Sequence, residues 1–105
     1  MHPESLVAFA RDEDASYPSP PFSPGEHYPE YPFEHLAQQP NSVYELVRTS
    51  LIRMGLDKHR AGTSKWNPLG ELIRPGNRVV IKPNWVMHEN RGPGGLDAVV
   101  THPSV

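Results

Sequence analysis

Arg78-Val79-Val80-Ile81-Lys82-Pro83-Asn84-Trp85 is the stretch on which the reading of this chain turns. Three successive β-branched apolar residues between two bases read as a strand covered on both faces, because a strand with one wet face alternates apolar and polar positions. That pattern belongs to parallel sheets. Pro83 lacks an N–H and ends the ladder. Upstream, Asn67-Pro68 offers a cap and a first-turn proline for a turn or two over Leu69 to Ile73, which Pro75-Gly76 terminates. Downstream, a polar glycine-rich stretch leads to Ala98-Val99-Val100, a run open to strand or loop. Thr101-His102-Pro103-Ser104 then reads as a helix start.

Further out, Leu6-Val7-Ala8-Phe9-Ala10 is too short for a helix and is bounded by Arg11-Asp12-Glu13-Asp14, so it reads as a second buried strand. Seven prolines between Pro18 and Pro40 forbid a long helix or a central strand there. Tyr17, Phe22, Tyr28, Tyr31 and Phe33 recur through this coil, and such rings gain most when laid on an apolar surface, so the coil is expected to be pinned rather than solvated. Ser42 and Glu45 form a capping-box pattern. Val43, Leu46, Val47, Leu51 and Met54 follow at helical spacing, and Gly55-Leu56 supplies a left-handed stop. The helix is expected over about 42–54.

These elements predict an α/β fold: a partial parallel sheet with one clear helix and a long proline-rich coil, forming a single incomplete unit over 1–105. Residues 17–40 are the coil, and residues 41–105 carry the helix, the strand and the glycine-rich loop. One helix cannot cover both faces of such a sheet. Further sequence, a partner chain (a second copy included) or the tyrosine-rich coil must supply the rest, and the end on a helix-start signal suggests a piece of a larger α/β domain.

With 105 residues, a second independent core is excluded. The absence of cysteine removes disulfides, thiolate metal sites, iron–sulfur ligation and a cysteine nucleophile. A mean hydropathy of -0.59 and the lack of a long apolar run argue against a membrane span. Met1-His2-Pro3-Glu4-Ser5 lacks the basic and apolar regions of a secretory signal, which leaves the cytoplasm as the expected location. Residues 1–45 carry eight acids against Arg11 alone, a net of -7, and residues 46–105 carry four acids against nine bases, a net of +5. Either the two parts lie together, the basic part faces an anion, or both are solvated surface. A pI of 6.3 without a dense basic stripe argues against nucleic acid.

Ligands of open parallel sheets sit beyond the carboxyl ends of the strands. Lys82 and Asn84 leave the expected strand there, the first as a counter-charge and the second as a donor and acceptor; alternatively they are an edge residue and a turn former. Arg91 and Gly92-Pro93-Gly94-Gly95 offer a guanidinium fork beside approachable backbone, or a flexible loop or lid. The stretch is neither a phosphate loop nor a dinucleotide fingerprint, so no cofactor is implied. No histidine pair has metal-binding helical spacing, so no metal site is assigned; His88 and His102 flank the glycine-rich loop, where folding could bring them to Asp97 or Glu89, and His102 stands at the expected helix start. Ser104 lies near His102 without an elbow motif around it. Pro21 and Pro24 have PxxP spacing, which a proline-reading module would recognise.

Gly76-Asn77-Arg78-Val79-Val80-Ile81-Lys82-Pro83-Asn84-Trp85-Val86 resembles the G-x-x-V-x-I-K-P-N strand of the family catalogued as domain of unknown function 362, and Thr101-His102-Pro103 follows at the expected distance. Tyr17-Pro18 through Tyr28-Pro29-Glu30-Tyr31-Pro32, with the helix from Val43 to Gly55, is similar to the N-terminal part of one bacterial branch. The resemblance covers nearly the whole chain but only the front of the family's domain. It implies an α/β domain with an enzymatic or ligand-binding role, and it singles out Lys82, Asn84, Thr101 and His102. Many relatives also carry a ferredoxin-like cysteine cluster or a twin-arginine signal, and this sequence has neither. The expectation is a small anionic metabolite bound at the carboxyl end of strand 78–82 by Lys82, Asn84, Thr101, His102 and Arg91, with the reaction and catalytic residues unassigned. An interaction module built on the Pro/Tyr-rich coil, and a non-functional truncated product, stand as alternatives.

Overall fold

Asn41 starts the one α-helix of the described residues, 5–105 in a computed structural model of the chain. Helix α1 spans Ser42–Arg53. The Asn41 side-chain oxygen accepts from the Tyr44 N–H at 3.0 Å, so Asn41, not Ser42, is the cap, and the expected capping box gives way to it. The reason lies in the side chain's second end. Asn41 Nδ2 donates to the carbonyls of Phe22 at 3.1 Å and Ser23 at 3.0 Å, which a serine hydroxyl in the neighbouring position could not do while capping. Glu45 in the first turn and Arg53 in the last match the helix dipole. Gly55, at φ 78°, takes the left-handed stop and donates its N–H to the Ile52 carbonyl.

The proline-rich coil is closed onto the start of α1. Pro24 is wholly buried, and the Ala37 N–H reaches its carbonyl at 3.0 Å. A Cβ on Gly25 would lie 2.8 Å from the Gln39 carbonyl oxygen and the Pro40 Cα, so this crossing of two backbone segments requires glycine. From there the coil runs along the helix. Tyr28 stacks on Tyr44 with centroids 5.6 Å apart, and Tyr31 meets Tyr44 edge-on at 6.3 Å.

After the helix, residues 55–67 form a chain of turns closed by two polar contacts. Trp66 Nε1 donates to the Leu56 carbonyl at 2.9 Å, and the Asp57 carboxylate accepts from the Asn67 N–H at 2.8 Å and from Arg60 Nε at 2.9 Å. Among the described residues Val43 and Trp66 join Pro24 as the buried apolar side chains, so the core is a small one between coil, helix and turn. Residues 67–77 are turns rather than a second helix.

The expected parallel sheet does not form. Among the described residues there is no strand, only an isolated antiparallel bridge between Trp85 and Val100 and a short 3-10 turn at Leu96–Ala98. This overturns the α/β expectation. Leu6–Ala10 and Val79–Ile81 both run as coil, and Val80 and Ile81 are 92% and 87% exposed. Runs of five and three residues offer few ladder bonds, and prolines at 75 and 83 shorten the second. The surface that such a sheet would use is also committed, because the coil's rings already lie along α1. The helix therefore buries Val43 and its Tyr44–Arg48 side, while Val47 and Met54 of the predicted apolar face, and Ile52 outside it, stay partly exposed. The helix start expected at 101–104 is a single turn, with the Val105 N–H on the His102 carbonyl. The signal-sequence reading of the first residues, and His2, fall outside the described residues.

Replacing Asn41 should therefore cost more than a cap. Asn41→Ala is expected to lower stability by about 2 kcal/mol, the upper end for an N-cap, measured by equilibrium urea unfolding. Asn41→Ser keeps the helical bond and should recover part of that loss, yet leave residues 17–40 more open to limited proteolysis than in the parent chain.

Candidate functional site

Arg48 lies one turn beyond Tyr44 on α1, and the coil brings Tyr28 and Glu30 to the same place. The guanidinium carbon sits 4.3 Å over the Tyr28 ring and 5.6 Å from the Trp66 ring centre. Glu30 takes the guanidinium side-on, with Oε1 against Nε in a short contact and Oε2 3.4 Å from Nη2. The two side chains are 20% and 11% exposed, so this ion pair is largely shielded. It also joins the acidic N-terminal part of the chain to the basic C-terminal part.

Beside this pair opens a cleft of about 370 Å³. Tyr44, Val47, Arg48 and Leu51 supply its helical wall at successive i, i+3, i+4, i+7 positions, Trp66 and Pro68 the opposite side, and Ser104 and Val105 the rim. Glu30 also lines it, so its character is an apolar slot with one ion pair, Glu30 with Arg48, in its wall.

The electrostatics follow from burial and pairing. Burial alone would raise the Glu30 carboxyl, but the Arg48 hydrogen bond, a backbone N–H and the Arg48 charge outweigh it and hold it below its ordinary value. The hydrogen bond to Glu30 raises the Arg48 guanidinium further still. Burial pushes the Tyr28 and Tyr44 phenols up, with Glu26 adding to the first and Glu30 to the second. Asp57 is lowered by the Arg60 hydrogen bond and the Asn67 N–H.

The residues selected from the sequence are only partly gathered. Asn84 and Thr101 meet: the Asn84 N–H donates to Thr101 Oγ1 at 2.8 Å and the Thr101 N–H to the Asn84 carbonyl at 2.7 Å, clasping the two ends of the glycine-rich loop. Within that loop Asn90 Nδ2 gathers the carbonyls of Pro93, Gly94 and Gly95, so the loop turns acceptors inward rather than cradling an anion. Arg91 is exposed and engaged by Glu89 at 2.9 Å. Lys82 is exposed on the extended segment. His102 stacks on Tyr17 at 4.2 Å and meets Phe22 edge-on at 5.7 Å.

His102 Nδ1 accepts from the Ser104 N–H at 3.2 Å and lies 2.7 Å from Ser104 Oγ, which places the ring proton on Nε2. Ser104 then turns its hydroxyl proton toward a base. Among the described residues no carboxylate bonds the other ring nitrogen, so the pair lacks the third member of a hydrolytic triad. No group of three or more histidine, aspartate or glutamate side chains among the described residues is arranged to hold a metal. No helix there is long and apolar enough to cross a membrane.

Sequence reasoning missed Glu30, Tyr44, Arg48 and Trp66. Their signal was the Tyr28-Pro29-Glu30 alternation on an extended segment opposite Tyr44 and Arg48 on one helical face, a match visible only once coil and helix are laid side by side. Comparison with known proteins matches the chain to no family model, no curated protein and no solved structure.

Stability should fall at both pH extremes. Glu30 and Asp57 are depressed in the fold, so the unfolded chain binds more protons through the carboxylate range; their contribution is complete above that range and is lost as pH falls through the folded values. Tyr28 and Tyr44 are raised, so theirs is complete below the ordinary tyrosine value of about 10 and is lost above it. Glu30→Gln should cost roughly 1–3 kcal/mol by leaving Arg48 poorly paired. It should also flatten the acid limb of a stability–pH curve from urea unfolding, leaving only the part due to Asp57.

Proposed function

We propose that this chain binds a small organic anion in the Arg48 cleft, namely a monocarboxylate carrying an apolar or aromatic body. One observation carries the reading. Glu30 occupies the Nε side of the guanidinium, while Nη1 makes no hydrogen bond among the described residues. A guanidinium has donors on two edges, so a second carboxylate fits the edge formed by Nη1 and Nη2. Val47, Leu51, Trp66 and Pro68 would then enclose the apolar body. The ligand class is the one expected from the sequence, and its place moves from the Lys82 turn to the helix. The signature-like segment 76–86 does not line this cleft, so the reading does not draw on the family resemblance.

The chain's two tryptophans make the test direct. In a Trp85→Phe background, Trp66 alone reports. Titration with 3-phenylpropionate is expected to change Trp66 emission saturably, and the neutral analogue 3-phenylpropanol to bind at least tenfold more weakly, since charge-assisted hydrogen bonds contribute roughly 1.5–3 kcal/mol. Arg48→Lys keeps the charge but loses the fork, and should weaken the carboxylate at least tenfold with helical circular dichroism unchanged. Equal binding of acid and alcohol, or no saturable signal from the acid, discards the reading.

A further inference from the structure

The structure leaves two apolar runs unused, and their chemistry matches. Val7 is 89% exposed and Leu6 and Phe9 are nearly as open; Val80 and Ile81 are equally bare. No amide of 6–10 or 78–82 donates a hydrogen bond among the described residues, so both runs keep their backbone donors free. Arg53 holds the Phe9 carbonyl and so ties the first run to the end of α1. An exposed apolar segment with free donors is a template for strand pairing.

Charge decides what pairs with what. Antiparallel self-pairing of 78–82 about Val80 would set Arg78 opposite Lys82 twice, an unfavourable arrangement. The first run, in contrast, is followed by Asp12, Glu13 and Asp14. With Ala8 opposite Val80 in antiparallel register, Val7 faces Ile81 and Phe9 faces Val79 on one side of the ribbon, giving two apolar cross-strand pairs. Arg78 then lies beside Asp12, and Glu13 and Asp14 add negative charge just past the ribbon's end. A parallel arrangement would set Lys82 beside Asp12 in the same way, but parallel pairing is the less stable per residue, which favours the antiparallel register. Pro75 and Pro83 mark where such a ribbon must stop.

We propose that two copies of this chain associate through antiparallel pairing of Leu6–Ala10 of one copy with Arg78–Lys82 of the other. Because each copy carries both runs, the exchange is reciprocal and closes as a two-fold dimer with two ribbons. The proposal is independent of the cleft.

Sedimentation equilibrium of the full chain is expected to show a monomer–dimer equilibrium. Arg78→Glu with Lys82→Glu should weaken it at least tenfold, and so should Asp12→Lys with Asp14→Lys. All four positions are exposed, and circular dichroism should show the helix intact in each variant. Mixing the two variants restores both charge patterns and should restore dimer, whereas reversing the equally exposed Lys58 and Lys65 should change nothing. A chain that stays monomeric at every concentration, a dimer indifferent to the paired reversals, or one equally weakened by the Lys58 and Lys65 reversals, overturns the proposal.

Discussion

Asn41 is the hinge on which the rest of the molecule depends, because its amide performs two incompatible-looking tasks at once. Its oxygen satisfies an orphan N–H of α1 while its nitrogen satisfies the carbonyls of Phe22 and Ser23. The side chain is almost wholly buried, where an unpaired polar group would be costly. The observed arrangement of coil and helix meets these hydrogen bonds at both ends of the side chain. With this junction set, Gly25 can cross beneath Gln39 and Pro40, and the following residues have little choice but to run along the helix.

What the coil delivers to the helix is a set of rings and one carboxylate. Prolines lower the entropy that the coil loses on docking, since their φ is already fixed in the unfolded chain. Tyr28 and Tyr31 then bury area against Tyr44, and Glu30 meets Arg48 in a setting dry enough for the pair to be selective. A guanidinium held between a carboxylate and aromatic surfaces has most of its rotamers removed before any ligand arrives. A preordered cation of this kind binds an anion without the ordering cost that a free surface arginine would carry.

The same docking explains the missing sheet. Helix α1 has one face that can be covered well, and the coil reaches it through contacts close in sequence, whereas a sheet would need runs separated by some seventy residues to find each other. The valine-rich segment before Pro83 therefore emerges without cover, although its residues have high strand propensity. Local preference and global arrangement disagree there, and this disagreement is what the proposed pairing of two copies would resolve.

The sequence by itself determined the helix over 42–53, its glycine stop, the irregular course of the proline-rich segment and the docking of its rings, because capping groups, fixed φ angles and apolar periodicity act over a few residues and barely depend on the rest of the chain. It determined neither the cap's identity nor the sheet's absence. Asn41 prevailed over Ser42 through partners about nineteen residues away, and Val79 to Ile81 carry the same local signal whether or not a neighbouring strand arrives. The cleft was likewise decided by tertiary structure alone, since Glu30, Arg48 and Trp66 are unremarkable in their own neighbourhoods and acquire a common chemistry only when coil, helix and turn converge. Asn84 and Thr101 meet as a backbone clasp, and His102 is held by Tyr17 and Phe22, because the turns after Ile73 direct the chain's last segment back onto the coil and not to the end of a strand.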